Sequence, residues 1–235
     1  CAEQIVSGAF PRLFLPDIMD VNDKMKTQNK SYIETAIEKL CSMQLTGGGI
    51  ALWPGSAVEN EWITSYAGHF ILEAKKKGYL VPADFLTGWL RFQKQAARNW
   101  SIPLPKTQAE NVSTGLTQAY RLFTLALAGE PETGAMNRLR EYTGMSTNTM
   151  WRLAAAYALA GQPESARKMA GDLTTRVPDY YDPGETYGSQ LRDMAMILEA
   201  MVLIGEKERS VPLLQEISDQ LSSNSWFSTQ STAYA

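Results

Sequence analysis

The chain opens Cys1-Ala2-Glu3-Gln4, which sets a thiol and a side-chain amide three positions apart, just ahead of an apolar run with helical spacing through Ile5, Val6, Phe10, Leu13 and Phe14. Residues i and i+3 are neighbours on one helical face, so the Cys1 sulfur can reach the side-chain carbonyl carbon of Gln4. Attack there with loss of ammonia closes a small thioester ring. A thiolate, with a reference pKa of about 8.5, leaves far more readily than an amine. An incoming lysine amine would therefore end joined to Gln4 by a stable amide, with Cys1 set free. Glu3, between the two, suits a helix N-terminus by charge, and the sequence leaves its role open.

Three rival readings of Cys1 exist. A lipid-modified mature N-terminus also begins Cys-Ala, but a polar tether is expected after it, not an apolar helix. An N-terminal nucleophile hydrolase uses the terminal amine as base, yet it needs stacked sheets, and this chain is not strand-like. A buried helical cysteine is the third. Cys41 lies within the apolar pattern Ile33, Ala36, Ile37 and Leu40 and is expected as a small buried hydrophobe. A Cys1–Cys41 disulfide would forbid the thioester.

Elements must position this pair, and the composition allows a sizeable core. The 235 residues are 44% hydrophobic and 10% aromatic, with 22 basic and 25 acidic residues and a net charge of −3. Apart from Lys75-Lys76-Lys77, read as a solvated helix end, there is no basic block, which makes nucleic acid an unexpected partner. No run approaches the roughly 18 apolar residues of a membrane span. The chain begins without Met and stops within a helical pattern, as a domain of a longer protein would.

Nearly every segment has helical period. A first helix is expected from Glu3 to Met19 with an interruption at Pro11, a second over Gln28–Gln44 before Gly47-Gly48-Gly49, a third over Glu59–Lys77 closed by Gly78, and a fourth from Pro82 to Trp100. A Pro-rich link follows from Ser101 to Asn111. The stretch Leu125–Glu132 (LALAGEPE) is echoed at Tyr157–Glu164 (YALAGQPE) and, more loosely, at Met201–Glu208 (MVLIGEKE). Each echo reads as the tail of an apolar helix, a Gly cap and the start of a one-sided helix. Helices apolar all round are buried and one-sided helices lie outside them. Such repeats suit either an open solenoid or a closed ring. The helical period throughout makes the fold all-α, and the uneven spacing favours the closed form: an α/α toroid of paired inner and outer helices, of six-hairpin type, with one helix missing or contributed by a trimmed C-terminus.

With Pro11 beyond it, Cys1-Ala2-Glu3-Gln4 resembles the thioester motif and first helix of the alpha-2-macroglobulin and complement family. Gly48-Gly49-Ile50-Ala51-Leu52-Trp53-Pro54, Trp62-Ile63-Thr64-Ser65-Tyr66-Ala67 and Gly78-Tyr79-Leu80-Val81-Pro82 resemble later hallmarks of its thioester-containing domain, the bacterial branch most of all. Ser228–Tyr234 is similar to that domain's late helix, so the resemblance covers nearly all of 1–235. It implies an α/α toroid and a single-use capture module rather than a turnover enzyme. A protease would cut a bait elsewhere in the parent, and a surface lysine of that protease would be acylated by the Cys1–Gln4 thioester. It further implies neighbouring macroglobulin-type domains in the same chain, no cofactor or metal beyond the internal thioester, no membrane contact by this domain, and a periplasmic or cell-envelope parent, often lipid-anchored.

Some complement relatives use a histidine about a hundred residues past the thioester to direct capture to hydroxyls. Here the single histidine is His69, in the third helix, and Ser101–Ser113 holds none. His69 is expected as a satisfied helix residue, and direct aminolysis is expected at Gln4. A carbohydrate-processing toroid is the rival class, with carboxylates of the loop Asp179-Tyr180-Tyr181-Asp182-Pro183-Gly184-Glu185 paired with Glu59 or Glu61. A turn-rich surface loop accounts for the same residues. Trp53, Trp62, Trp89 and Trp151 are expected in packing roles.

Overall fold

The computed structural model describes residues 1–102, 108–182 and 184–235, and the side chains of these apart from 108–113. Residues 103–107 of the Pro-rich link, and Pro183, therefore lie outside the described residues. Among the described residues the regular structure is helical, and β pairing is limited to isolated bridges. Contacts divide the chain into two compact units, Cys1–Gln93 with Tyr234, and Lys94–Ala233 with Ala235.

The first unit holds α1 (Ala2–Ala9), a 3-10 turn (Pro11–Leu13), α2 (Leu15–Ile18), α3 (Asp23–Ser42), α4 (Glu61–Lys76) and the first part of α5 (Ala83–Asn99). The helix expected over Glu3–Met19 is thus broken into three pieces. Pro11 has no N–H for the carbonyl four residues back, so α1 stops at Ala9 and the chain tightens into a 3-10 turn. The second expected helix instead begins at Asp23, because the Asn22 side chain caps it by accepting from the Met25 amide at 2.9 Å. α1 packs on both α3 and α4. Between them lie Val6, Ile33, Ile37, Leu40, Ile63 and Phe70, all buried.

Cys41 departs from expectation. It is only half-buried and is a free thiol, as is Cys1. The core face of α3 runs through Ile33, Ile37 and Leu40, and residue 41 falls at its margin. Burial, and then the charge of Glu38, push its thiol pKa up. Trp53 also departs, being 58% exposed at the tip of a loop, whereas Trp62, Trp89 and Trp151 are buried as expected.

The second unit continues with α6 (Gln108–Leu127), α7 (Thr133–Arg140), α8 (Thr147–Leu159), α9 (Pro163–Ala170), α10 (Gln190–Ile204), α11 (Lys207–Leu221) and α12 (Thr229–Tyr234). α8 lies between α6 and α10, and α8, α10 and the described side chains of α6 are buried nearly all round; α7, α9 and α11 bury one stripe each. This is the alternation of inner and outer helices that the echoes imply. The echoes also share one capping geometry. Gly129, Gly161 and Gly205 have φ of +78°, +75° and +92°. The residue after each donates to the carbonyl five positions back, at 2.9 Å in every case. These are Schellman caps, and a left-handed glycine is what permits them.

Candidate functional site

The N-terminus of α1 carries the sequence-nominated chemistry. Cys1 occupies the N-cap and Gln4 the third helical position. These are the two positions of a capping box, where each side chain reaches the other residue's backbone N–H, so the backbone brings the thiol and the carboxamide to one turn and, at i and i+3, to one face. Cys1 is half-buried and Gln4 is exposed. Five other helices have conventional caps: Asn22, Asn60, Ser146, Ser189 and Ser228 each accept from the amide three residues on. Cys1 makes no such bond. A thiol is a weak acceptor at a position that favours Ser, Thr, Asp or Asn. Phe10, Phe14, Glu132, Gln162 and Glu206 also start helical segments without a side-chain bond, so what sets Cys1 apart is its thiol one turn before a carboxamide.

Three sets of contacts fix how α1 presents that turn. At its start, the Ala2 amide donates to the Leu52 carbonyl at 2.9 Å. Leu52 belongs to the loop closing α3, whose shape follows from its glycines. Gly48 has φ +99°, and a Cβ there would stand 2.0 Å from the Gly88 carbonyl oxygen. The loop is tied to α4 where the Ile50 amide donates to Thr64 Oγ1 at 2.9 Å and the Asn60 amide donates to the Ile50 carbonyl, also at 2.9 Å. In the middle of α1, Glu3 is only 5% exposed. Its carboxylate accepts from Ser7 Oγ at 2.7 Å, and Ser7 Oγ lies 3.2 Å from the Tyr66 hydroxyl on α4. Glu3 is therefore an inward-facing hydrogen-bonding group, not a solvated helix-end charge. Beyond the helix, Arg12 donates to the Gly8 carbonyl and to Asn29 Oδ1 at 3.0 and 2.9 Å, and its guanidinium lies over the Tyr32 ring.

The sequence reading missed Ser7 and Tyr66. The signal was present: Glu3 and Ser7 are one turn apart on the face carrying Ala2, Val6 and Phe10. Beside Gln4, Ile5 borders an open groove of about 570 Å³, lined also by Thr27, Gln28, Ser31, Tyr32 and Lys39 of α3.

His69 is buried at 4% exposure, with its ring edge-on to Phe10 at 4.9 Å. Phe10 caps the far end of α1, so His69 serves the packing there. In the second unit, the acidic loop is a turn. Asp182 accepts from the amides of Gly184, Glu185 and Thr186 and from the Thr186 hydroxyl. Burial alone would raise the Asp182 carboxyl pKa, but those donors hold it below the usual range. A carboxylate engaged in this way is a loop staple. Among the described residues no cluster of His, Cys, Asp and Glu could hold a metal, and no helix is long and apolar enough to cross a membrane.

Comparison with known proteins decides the ancestry. Over 98% of its length the chain is 27% identical to alpha-2-macroglobulin of Escherichia coli K12, and over 72% it is 27% identical to a Yersinia pestis alpha-2-macroglobulin homolog. It is homologous to the bacterial alpha-2-macroglobulins. The crystal structure of native E. coli alpha-2-macroglobulin from domain MG7 to the C-terminus matches all of this chain at a TM-score of 0.82 and 26% identity. Salmonella alpha-2-macroglobulin reacted with methylamine matches all of it at 0.79 and 25%. No family model matches. The chain spans 14% of the E. coli alpha-2-macroglobulin and 8% of the Yersinia homolog, and so matches one portion of those much larger proteins.

Proposed function

We propose that this chain is the covalent-capture module of an alpha-2-macroglobulin-like endopeptidase inhibitor, acting through Cys1 and Gln4. The observation that carries the reading is the N-cap placement of Cys1, without a capping bond, one turn from Gln4. In the first step the Cys1 sulfur attacks the Gln4 side-chain carbonyl carbon. The carbon–nitrogen bond breaks, and ammonia leaves with the thiol's proton. In the second step a lysine amine of the protease attacks the same carbon. The carbon–sulfur bond breaks, the nitrogen keeps the acyl group, and its proton passes to the departing thiolate. Each molecule reacts once, so the module is a trap and not a turnover enzyme.

The known relatives support this reading. The E. coli protein has been seen activated by porcine elastase and by trypsin, and the Salmonella protein reacted with methylamine. Gln4 is exposed, and an exposed thioester would meet water. Neighbouring macroglobulin-type domains of the parent are thus the expected shield, in a periplasmic or cell-envelope protein. The carbohydrate-processing alternative has little to rest on, since the Asp182 carboxylate is engaged by its own loop.

The test is a mixture of the full-length parent with trypsin, analysed under denaturing and reducing conditions. A covalent complex is expected with the wild type. It should be lost in Cys1→Ala and with trypsin whose lysines have been methylated. Undiminished complexes with either would overturn lysine capture at this site.

A further inference from the structure

Glu3, Ser7 and Tyr66 form a directed chain that the capture reaction as described does not use. Ser7 donates its one proton to Glu3 at 2.7 Å. The 3.2 Å contact from Ser7 Oγ to the Tyr66 hydroxyl must then be donated by Tyr66. All three residues are buried, Tyr66 completely. Tyr66 is itself held between rings, stacked on Tyr234 at 6.3 Å and tilted against Phe10 at 6.0 Å. Its hydroxyl thus has a fixed position, and it reaches α1 through Ser7.

Consider what this does to the first turn. Glu3 precedes Gln4, and its side chain is drawn inward toward α4. With Glu3 and Ser7 pinned on the inner face, the rotation of α1 about its axis is set. Cys1 and Gln4 are left away from that face, one helical turn apart. α1 is only 8 residues long. An isolated helix of that length is unstable, and its N-cap lacks the bond that would hold the turn. The chain from Tyr66 supplies that order from a rigid neighbour.

We propose that Tyr66 is a positioning residue for the thioester: acting through Ser7 and Glu3, its hydroxyl holds the first turn of α1 in the orientation that brings Cys1 and Gln4 together. This rests on the capture reading above. Glu3 then acts by accepting a hydrogen bond, so its charge is dispensable and its acceptor oxygen is not.

The experiment uses the full-length parent and reads the ratio of ring-closed to ring-open molecules, by blocking free thiols in denaturant and weighing the Cys1–Gln4 peptide. Tyr66→Phe keeps the ring and its packing but removes the donor, and the ratio should fall about fivefold, as expected for one buried hydrogen bond. Glu3→Ala should lower it at least as far, whereas Glu3→Gln, which keeps an acceptor oxygen for Ser7, should restore most of it. Ile71→Val, a core change in the same α4 helix, serves as the stability control and should leave the ratio unchanged. Equal ratios in Tyr66→Phe and wild type, or a fall in Ile71→Val as large as in Tyr66→Phe, would overturn the positioning role. An absence of ring closure in the wild type would instead overturn the capture reading itself.

Discussion

The Ala2 amide donates to the Leu52 carbonyl across 2.9 Å, registering the first turn of α1 against the loop that follows α3. Everything proposed for Cys1 and Gln4 depends on that loop keeping its shape. Its tightest point is Gly48, in a left-handed conformation and against the Gly88 carbonyl.

Gly48→Ala should therefore be costly. The added Cβ meets backbone, not a flexible side-chain end, and φ is unfavourable for any L side chain. A loss of about 2–3 kcal/mol is expected in urea unfolding, from strain and steric overlap together. A loss below about 0.5 kcal/mol would mean that the loop relaxes freely and does not register α1.

Asn60→Ala removes the α4 N-cap, in which Asn60 Oδ1 accepts from the Ile63 amide at 2.8 Å. A destabilisation of about 1 kcal/mol is expected. The same substitution keeps the backbone bond from the Asn60 amide to Ile50, so the loop should stay attached. Amide hydrogen exchange checks this: faster exchange in the first turn of α4 is expected, with the Ala2 amide unchanged.

Much of this architecture could be read from residue order. The Gly echoes at 129, 161 and 205 marked real Schellman caps, and the apolar-all-round segments before them became α6, α8 and α10. The thiol–carboxamide pair was legible because helical spacing alone makes them neighbours. What could not be read was azimuth and tertiary pairing. Nothing local says that Glu3 turns inward, since its partner Ser7 joins Tyr66 from another helix. Fully buried Arg121, Arg152 and Arg192 were equally hidden. Arg152 is accommodated by Glu199 at 2.6 Å and by the Phe123 ring, and Arg192 by Asp193 at 2.6 Å. Glu199 lies on another helix from Arg152, and Arg192 also donates to the Thr186 carbonyl in the loop before α10. Trp53 failed for the opposite reason: its size suggested burial, but its loop carries it outward.

The Asp182 turn should impose a pH dependence. The folded-state pKa is lowered from 3.8, so the stability it confers is fully present above about pH 4 and is lost as pH falls through the lowered folded value. Asp182→Asn should be less stable than wild type at neutral pH, by on the order of 1 kcal/mol. The gap should shrink as acid protonates the wild-type carboxyl. Chemical denaturation of both proteins across the acid range checks this, and a gap that stays constant would contradict the assignment.

His69 packs against Phe10 at the end of α1 away from Cys1, so capture at Gln4 should proceed without an imidazole relay. Offered methylamine and glycerol together, the intact full-length protein should form amine adducts almost exclusively. His69→Gln should leave that preference unchanged. Comparable glycerol incorporation by the wild type, lost in His69→Gln, would show that the histidine does take part.

The most direct measurement is the intact mass of the full-length protein, freshly purified, before and after methylamine. A closed Cys1–Gln4 ring should appear as the loss of one ammonia from the sequence mass. Methylamine should then add its whole mass at Gln4 and expose one new thiol at Cys1. A starting mass equal to that of the unmodified sequence, with no methylamine uptake and a Cys1 thiol free from the outset, would contradict covalent capture.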